Sequence, residues 1–277
     1  MHARTALSLC ALAIVMLQAR GAGADVRQEY FPNGKLKAEY TYVNGKLNGL
    51  SKGYFGNGGL RGEFRYADGE LSGVSKEYYP GGQKMWVRSY KNGKLHGKSR
   101  RYYESGKLKY VAQYNNDLLD GLRTMYYESG KVRMKESFAG GKLDGKSEEY
   151  YESGKLKKVK IIKGGREDGE VVEYYESGKL MGEGTIQDGK KEGPFTIYYE
   201  SGRMKSVEHY VGGGLEGTTK RYYEAGGLME EVDYRNNVLH GVAKKYYPWG
   251  KMKSVATYTE GQLVRERRFD KEGMLVE

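Results

Sequence analysis

The sequence predicts an all-β chain: an elongated antiparallel β-meander of tandem 24-residue hairpin repeats. Glycine recurs at Gly34, Gly58, Gly82, Gly106, Gly130, Gly154, Gly178, Gly202, Gly226 and Gly250 with no insertion or deletion, and a fixed period of this size marks a stacked repeat array. An aromatic pair precedes each of these glycines, from Tyr30-Phe31 and Tyr54-Phe55 through Tyr102-Tyr103 to Tyr246-Tyr247. Between turn dipeptides the polarity alternates, as in Leu36-Lys37-Ala38-Glu39-Tyr40-Thr41-Tyr42, which is the period of a half-buried strand.

The first element is an export segment rather than part of the fold. Arg4, the apolar run Ala6 to Leu17 and the small residues Ala22-Gly23-Ala24 form the three parts of a secretory signal, with cleavage expected between Ala24 and Asp25. The run is shorter than the roughly 20 apolar residues of a spanning helix, and Gln18 and Arg20 follow it. The one cysteine, Cys10, leaves with residues 1–24. Residues 25–277 then form a single repeat domain, secreted or periplasmic, with no disulfide or thiolate metal ligand.

Each unit of that domain has two turns and two strands, as in Tyr102 to Met125. The first turn holds Ser105-Gly106, echoed by Asn33-Gly34 and Ser129-Gly130. The second holds Asn44-Gly45, Asp68-Gly69, Asn92-Gly93 or Asp188-Gly189, dipeptides that tolerate the positive φ of tight hairpins. A third glycine series, Gly49, Gly73, Gly97, Gly121 and onward to Gly241, closes a longer loop or forms a bulge. Both connections are too short for a parallel crossover, so each strand returns beside its predecessor.

At about 4.8 Å per strand, each repeat advances the sheet by roughly 10 Å, and ten would extend on the order of 100 Å. An open twisted ribbon and a rolled, solenoid-like one share this pattern. By alternation, Leu36, Leu60, Leu108, Leu156 and Leu180 are expected on the same side as Tyr42, Tyr66, Tyr90 and Tyr114. Phe269-Asp270-Lys271-Glu272-Gly273 restarts the unit one residue early and reads as a partial capping repeat, with Arg265-Glu266-Arg267-Arg268 guarding the last strands.

Candidate binding residues follow from the period. Tyr103, Tyr127, Tyr151, Tyr175 and Tyr199 form one phenol ladder, suited to amphipathic contacts at little rotamer cost. Lys107, Lys131, Lys155 and Lys179 form a cationic ladder beside it. The formal charge of +11 for the chain favours anionic partners. The line Glu104, Glu128, Glu152, Glu176, Glu200 and Glu224 is expected to pair across the turn with the cation three residues on.

Chemistry is expected to be absent. Gly140-Gly141-Lys142-Leu143-Asp144-Gly145-Lys146-Ser147 matches the phosphate-loop pattern, but the repeat around it supplies no helix to aim amides at a phosphate. His96 and His240 are six repeats apart and His209 is alone, so no metal site and no cofactor are expected. Nor is there a nucleophile with a base and an orienting carboxylate.

The elements YYESGKLK at Tyr102 to Lys109 and NGKLHG at Asn92 to Gly97 resemble the MORN repeat variant of bacterial YwqK-like antitoxins, over Tyr30 to Glu277. The resemblance implies a β-hairpin repeat that binds proteins or membranes rather than a catalyst. The better-known MORN repeat carries a tryptophan-bearing motif and contacts phospholipid, whereas this sequence has tyrosine pairs and only Trp86 and Trp249. The expected function is a non-enzymatic protein-binding scaffold whose partner sits in the envelope or outside the cell. Two alternatives stand beside it: binding of an anionic glycan or membrane surface, and an exported antitoxin that meets its toxin outside the cytoplasm. Nucleic acid fits the charge and aromatics but conflicts with export.

Overall fold

The computed structural model describes residues 23–276, together with the backbone of Val15–Leu17. The export segment expected over 1–24, Ala22 included, lies almost wholly outside the described residues; Ala24 and Asp25 open the strand Ala24–Tyr30. Residues up to Gly130 and residues from Lys131 form two compact units.

In the first unit, four hairpins follow the strand Ala24–Tyr30. Leu36–Val43 returns through Gly49–Tyr54, Leu60–Ala67 through Gly73–Tyr78, Lys84–Lys91 through Gly97–Tyr102, and Leu108–Asn115 through Leu118–Tyr126. Within the unit each long strand pairs antiparallel with its neighbouring long strands. The second unit repeats this from Val132–Ala139 to Gln262–Arg268. Among the described residues no pairing joins the first strand of a unit to its last, so neither unit closes into a barrel. The meander and its hairpin repeat are therefore as the sequence predicts.

The second turn is a two-residue hairpin in every repeat. Both central residues have positive φ, as at Asn44-Gly45 (49° and 75°) and Asn116-Asp117 (48° and 69°), the geometry that matches the twist of antiparallel strands. The same turn holds Gly140 and Gly141 at 54° and 84°, and Lys142–Tyr150 after it is a strand. The phosphate-loop pattern is thus two halves of a hairpin, with no helix at its end.

The third glycine series makes a bulge. Across it the register slips, for example between Lys160 and Ile162 against Gly169. Gly169 has a φ of 139°, and a Cβ there would lie 2.9 Å from Ile161 Cβ. Only glycine meets both the dihedral and the space.

A second slip corrects one expectation. Arg101 pairs with Tyr110, but Tyr102 pairs with Leu108, so Lys109 is an extra residue that interrupts the alternation. Directly opposed residues share a face. The leucine series therefore joins the first tyrosine of each pair, not the Tyr114 series. The face carrying Tyr114 is instead packed with small residues: Ser51, Ser75, Ser99, Ala38 and Ala112 are buried in the first unit, and Ser147, Ser206, Thr219 and Ala256 in the second. Large neighbours fold over them. A Cβ on Gly62 would lie 2.6 Å from the Phe64 ring, and one on Gly184 2.5 Å from the Phe195 ring.

The C-terminal restart forms a partial hairpin. Phe269 bridges Leu275, and Gly273 donates its amide to the Asp270 carbonyl at 3.1 Å.

Candidate functional site

The tyrosine ladder joins repeats. The second tyrosine of a pair donates its hydroxyl to the backbone carbonyl of the first aromatic position in the next repeat. Tyr103 reaches Tyr126 at 2.8 Å, Tyr151 reaches Tyr174 and Tyr175 reaches Tyr198 at 2.7 Å, and Tyr199 reaches Tyr222 at 2.8 Å. Tyr247 ends the series on the capping residue Phe269 at 3.0 Å. Tyr127 is half-buried in the same phase. Lysines cover several of these rings, with Lys109 Nζ 5.0 Å from the Tyr103 centroid and Lys205 Nζ 5.6 Å from that of Tyr199.

The lysine ladder also bridges repeats. Lys131 Nζ donates to the Ser153 carbonyl at 3.0 Å and Lys155 Nζ to Ser177 at 3.1 Å; Arg203 does the same to Glu224 at 2.9 Å. Lys107 and Lys179 are exposed in the same phase. This corrects the cross-turn pairing expected for the glutamate line: among the described residues, Glu104, Glu128, Glu152, Glu176, Glu200 and Glu224 make no ion pair, and Lys131, Lys155 and Arg203, three residues after Glu128, Glu152 and Glu200, reach forward to the next turn instead. The opposite edge is stitched as well. Gly165 donates its amide to the Leu143 carbonyl and Gly189 to Glu167, both at 2.8 Å.

The position after the hairpin caps the next hairpin. Glu192 Oε2 accepts from the Gly212 amide at 2.7 Å, Glu216 Oε2 from Asn236 at 2.9 Å, and His240 Nδ1 from Glu260 at 3.4 Å. His240 is thus a structural acceptor, while His96 Nδ1 in the equivalent place is buried without a partner. His209 is exposed on its strand. Among the described residues no three of His, Cys, Asp and Glu gather as metal ligands.

One transverse row in the first unit differs from everything above. Successive strand pairings place Glu77, Trp86, Arg101, Tyr110 and Met125 side by side on the face of the buried serines. Arg88 lies over the Trp86 ring at 4.1 Å and Arg101 at 5.0 Å, and Tyr110 meets the same ring edge-on at 5.5 Å. Glu77 pairs with Arg88 at 3.1 Å. Arg101 Nε is buried with no hydrogen-bond partner. Burial first, and then the neighbouring Tyr114, push the Tyr110 phenol well above its usual ionisation range, so it stays neutral.

The matching row of the second unit runs Glu149, Lys158, Glu173 and, further along, Arg221, Glu230, Lys245. There the charges answer one another: Lys158 pairs with Glu173 at 2.8 Å, and Arg221 pairs with Glu230. The repeat period by itself does not announce the first-unit row. Its signal was present, since Trp86 is the one tryptophan on a strand and Arg101 stands where Glu29, Glu77, Glu149 and Glu173 stand in other repeats.

Stitched hairpins in a fixed register, presenting one irregular aromatic row, define a β-hairpin repeat protein with a candidate binding face. The chain belongs to the MORN repeat variant family, whose pattern matches residues 26–44, 95–116, 119–139, 143–160, 167–188, 191–211, 215–236 and 239–260, more than half of its length. No curated protein matches its sequence. Among solved structures, it is similar to "Crystal Structure of TcdB2-TccC3-Cdc42" at 13% identity, covering 91% of this chain and 17% of that one, with a TM-score of 0.20. The Tc holotoxin pore of Photorhabdus luminescens matches at 14% identity, over 91% of this chain and 16% of that one, with a TM-score of 0.20. The chain spans about a sixth of the length of these structures, and a likeness this loose carries no argument.

Proposed function

We propose that this chain is an exported, non-enzymatic scaffold that binds a protein in the cell envelope or outside the cell. The observation that carries the reading is the row Trp86, Arg101, Tyr110 and Met125, lying next to the half-buried rings of Tyr66, Tyr90 and Tyr114 on one face. Trp, Tyr, Arg and Met are the residue types enriched in the centres of protein interfaces, where large rings exclude water around a few strong contacts. The stitching supports the same reading, because a sheet tied at both edges holds such a row rigid before a partner arrives. An antitoxin role is the special case in which the partner is a toxin outside the cytoplasm.

The glycan or membrane alternative rests on a free lysine ladder, and Lys131 and Lys155 instead donate to neighbouring turns. The test is capture from envelope extract on the immobilised chain from Asp25, at low and high salt. A discrete protein retained at high salt supports the scaffold. Polyanions that wash off with salt would replace it with charge recognition.

A further inference from the structure

In two repeats a glutamate answers the cation eight residues on, and in the repeat of Trp86 and Tyr110 an arginine stands in its place. In the first repeat Lys37 lies against Glu29 at 3.4 Å, and in a later one Lys157 lies against Glu149 at 2.7 Å. Between these, Arg61 lies against Gly53, its guanidinium 3.3 Å from where a Cβ would be. The side chain eight residues on therefore leans over this position in three repeats. In the repeat of Trp86 and Tyr110 these two positions hold Arg101 and Lys109, both cations, with Arg101 over the Trp86 ring at 5.0 Å and Lys109 over that of Tyr103 at 5.0 Å. Arg88, over the same indole, is a third cation, and Glu77 already answers it. Neither Arg101 nor Lys109 has a carboxylate partner among the described residues, and Arg101 Nε is buried without one.

We propose that Arg101 and Lys109 receive a carboxylate from an acidic, apolar-flanked segment of a partner protein, in the place of the glutamate that two sister repeats supply internally. This rests on the scaffold reading above. Sister repeats show that a glutamate-sized acid fits here, and Trp86 and Tyr110 offer rings to the apolar residues beside it. A polyanion would need cations recurring along the row. Instead the row continues as Met125 on one side and Glu77 on the other.

The test uses the full chain and a pair of fluorescent peptides, acetyl-Leu-Glu-Leu-amide and its Gln counterpart, with Trp86 emission and peptide polarisation as readouts. The Glu peptide is expected to bind about tenfold more tightly than the Gln peptide, the worth of one charge-assisted contact. In Arg101→Glu the chain supplies its own acid in the sister-repeat arrangement, so the fold holds and the preference disappears; Arg101→Lys retains part of it. Equal binding of the two peptides, or an unchanged preference in Arg101→Glu, overturns the proposal, as does displacement of the Glu peptide by heparin with no Glu-over-Gln preference. Envelope capture separates the two levels. A protein held equally by wild type and Arg101→Glu leaves the scaffold standing and removes the carboxylate site. Capture of no discrete protein by wild type removes the scaffold itself.

Discussion

Replacing Tyr175 by phenylalanine removes one oxygen atom and, with it, the 2.7 Å hydrogen bond to the Tyr198 carbonyl. The bond crosses from one repeat to the next, so its loss falls on a junction rather than within a hairpin. An intramolecular hydrogen bond of this kind contributes about 1 kcal/mol net, roughly a fivefold change in the local opening equilibrium. In a stacked array, stability is close to a sum of unit and nearest-neighbour terms, so the loss stays localised. Tyr174 provides an internal control, because it is half-buried next door and its hydroxyl makes no hydrogen bond among the described residues. Tyr174→Phe is expected to change stability by less than about 0.5 kcal/mol, the usual range for a substitution that breaks no specific contact. Urea unfolding gives the global cost, and amide exchange at Tyr175 and Gly178, which close the turn at 2.9 Å and 2.8 Å, gives the local one. Equal costs for the two variants, or a larger one for Tyr174→Phe, would refute the junction role of the second tyrosine.

Gly169→Ala forces an alanine to a φ of 139° with its Cβ 2.9 Å from Ile161, so a loss of about 2 kcal/mol or more is expected in chemical denaturation. Gly49→Ala, whose Cβ would meet Thr41 at 3.5 Å, should cost less. Deleting residues 131–154, one whole period, keeps every strand direction and should melt near wild type, whereas deleting twelve residues reverses a strand; comparable melting would contradict the meander. Burial first, and then its hydrogen bond to Glu148, push the Tyr150 phenol up to about 12. The neutral phenol is favoured in the fold, so this contribution is complete below pH 10 and is lost as pH rises through about 12. Lys146 first, then Tyr150, hold Glu148 below its ordinary 4.5, so its contribution is present above that pH and fades below it. Phenolate absorbance in Glu148→Gln should show Tyr150 titrating closer to its ordinary 10.

The hairpins were legible because their causes are local. Asn44-Gly45 and Asp68-Gly69 carry the backbone demand of the turn in two adjacent letters, and strand alternation is read over eight residues. The tyrosine and lysine columns were legible as columns but not as contacts. Their acceptors are main-chain carbonyls 22 or 23 residues away, which no side-chain letter announces. The leucine face was misread because a bulge at Lys109 inserts one residue, and a strand's face inverts with every single-residue slip.

The sequence by itself determined the architecture, since a period repeated ten times states each turn ten times over and leaves one antiparallel solution. What only the tertiary structure decided is which departures from the period meet. Trp86, Arg101 and Tyr110 come from three different strands, and strand register alone brings them to one row. Register also sets Lys109 beside Arg101 where a sister repeat has lysine beside glutamate, and that juxtaposition is the source of the unanswered charge.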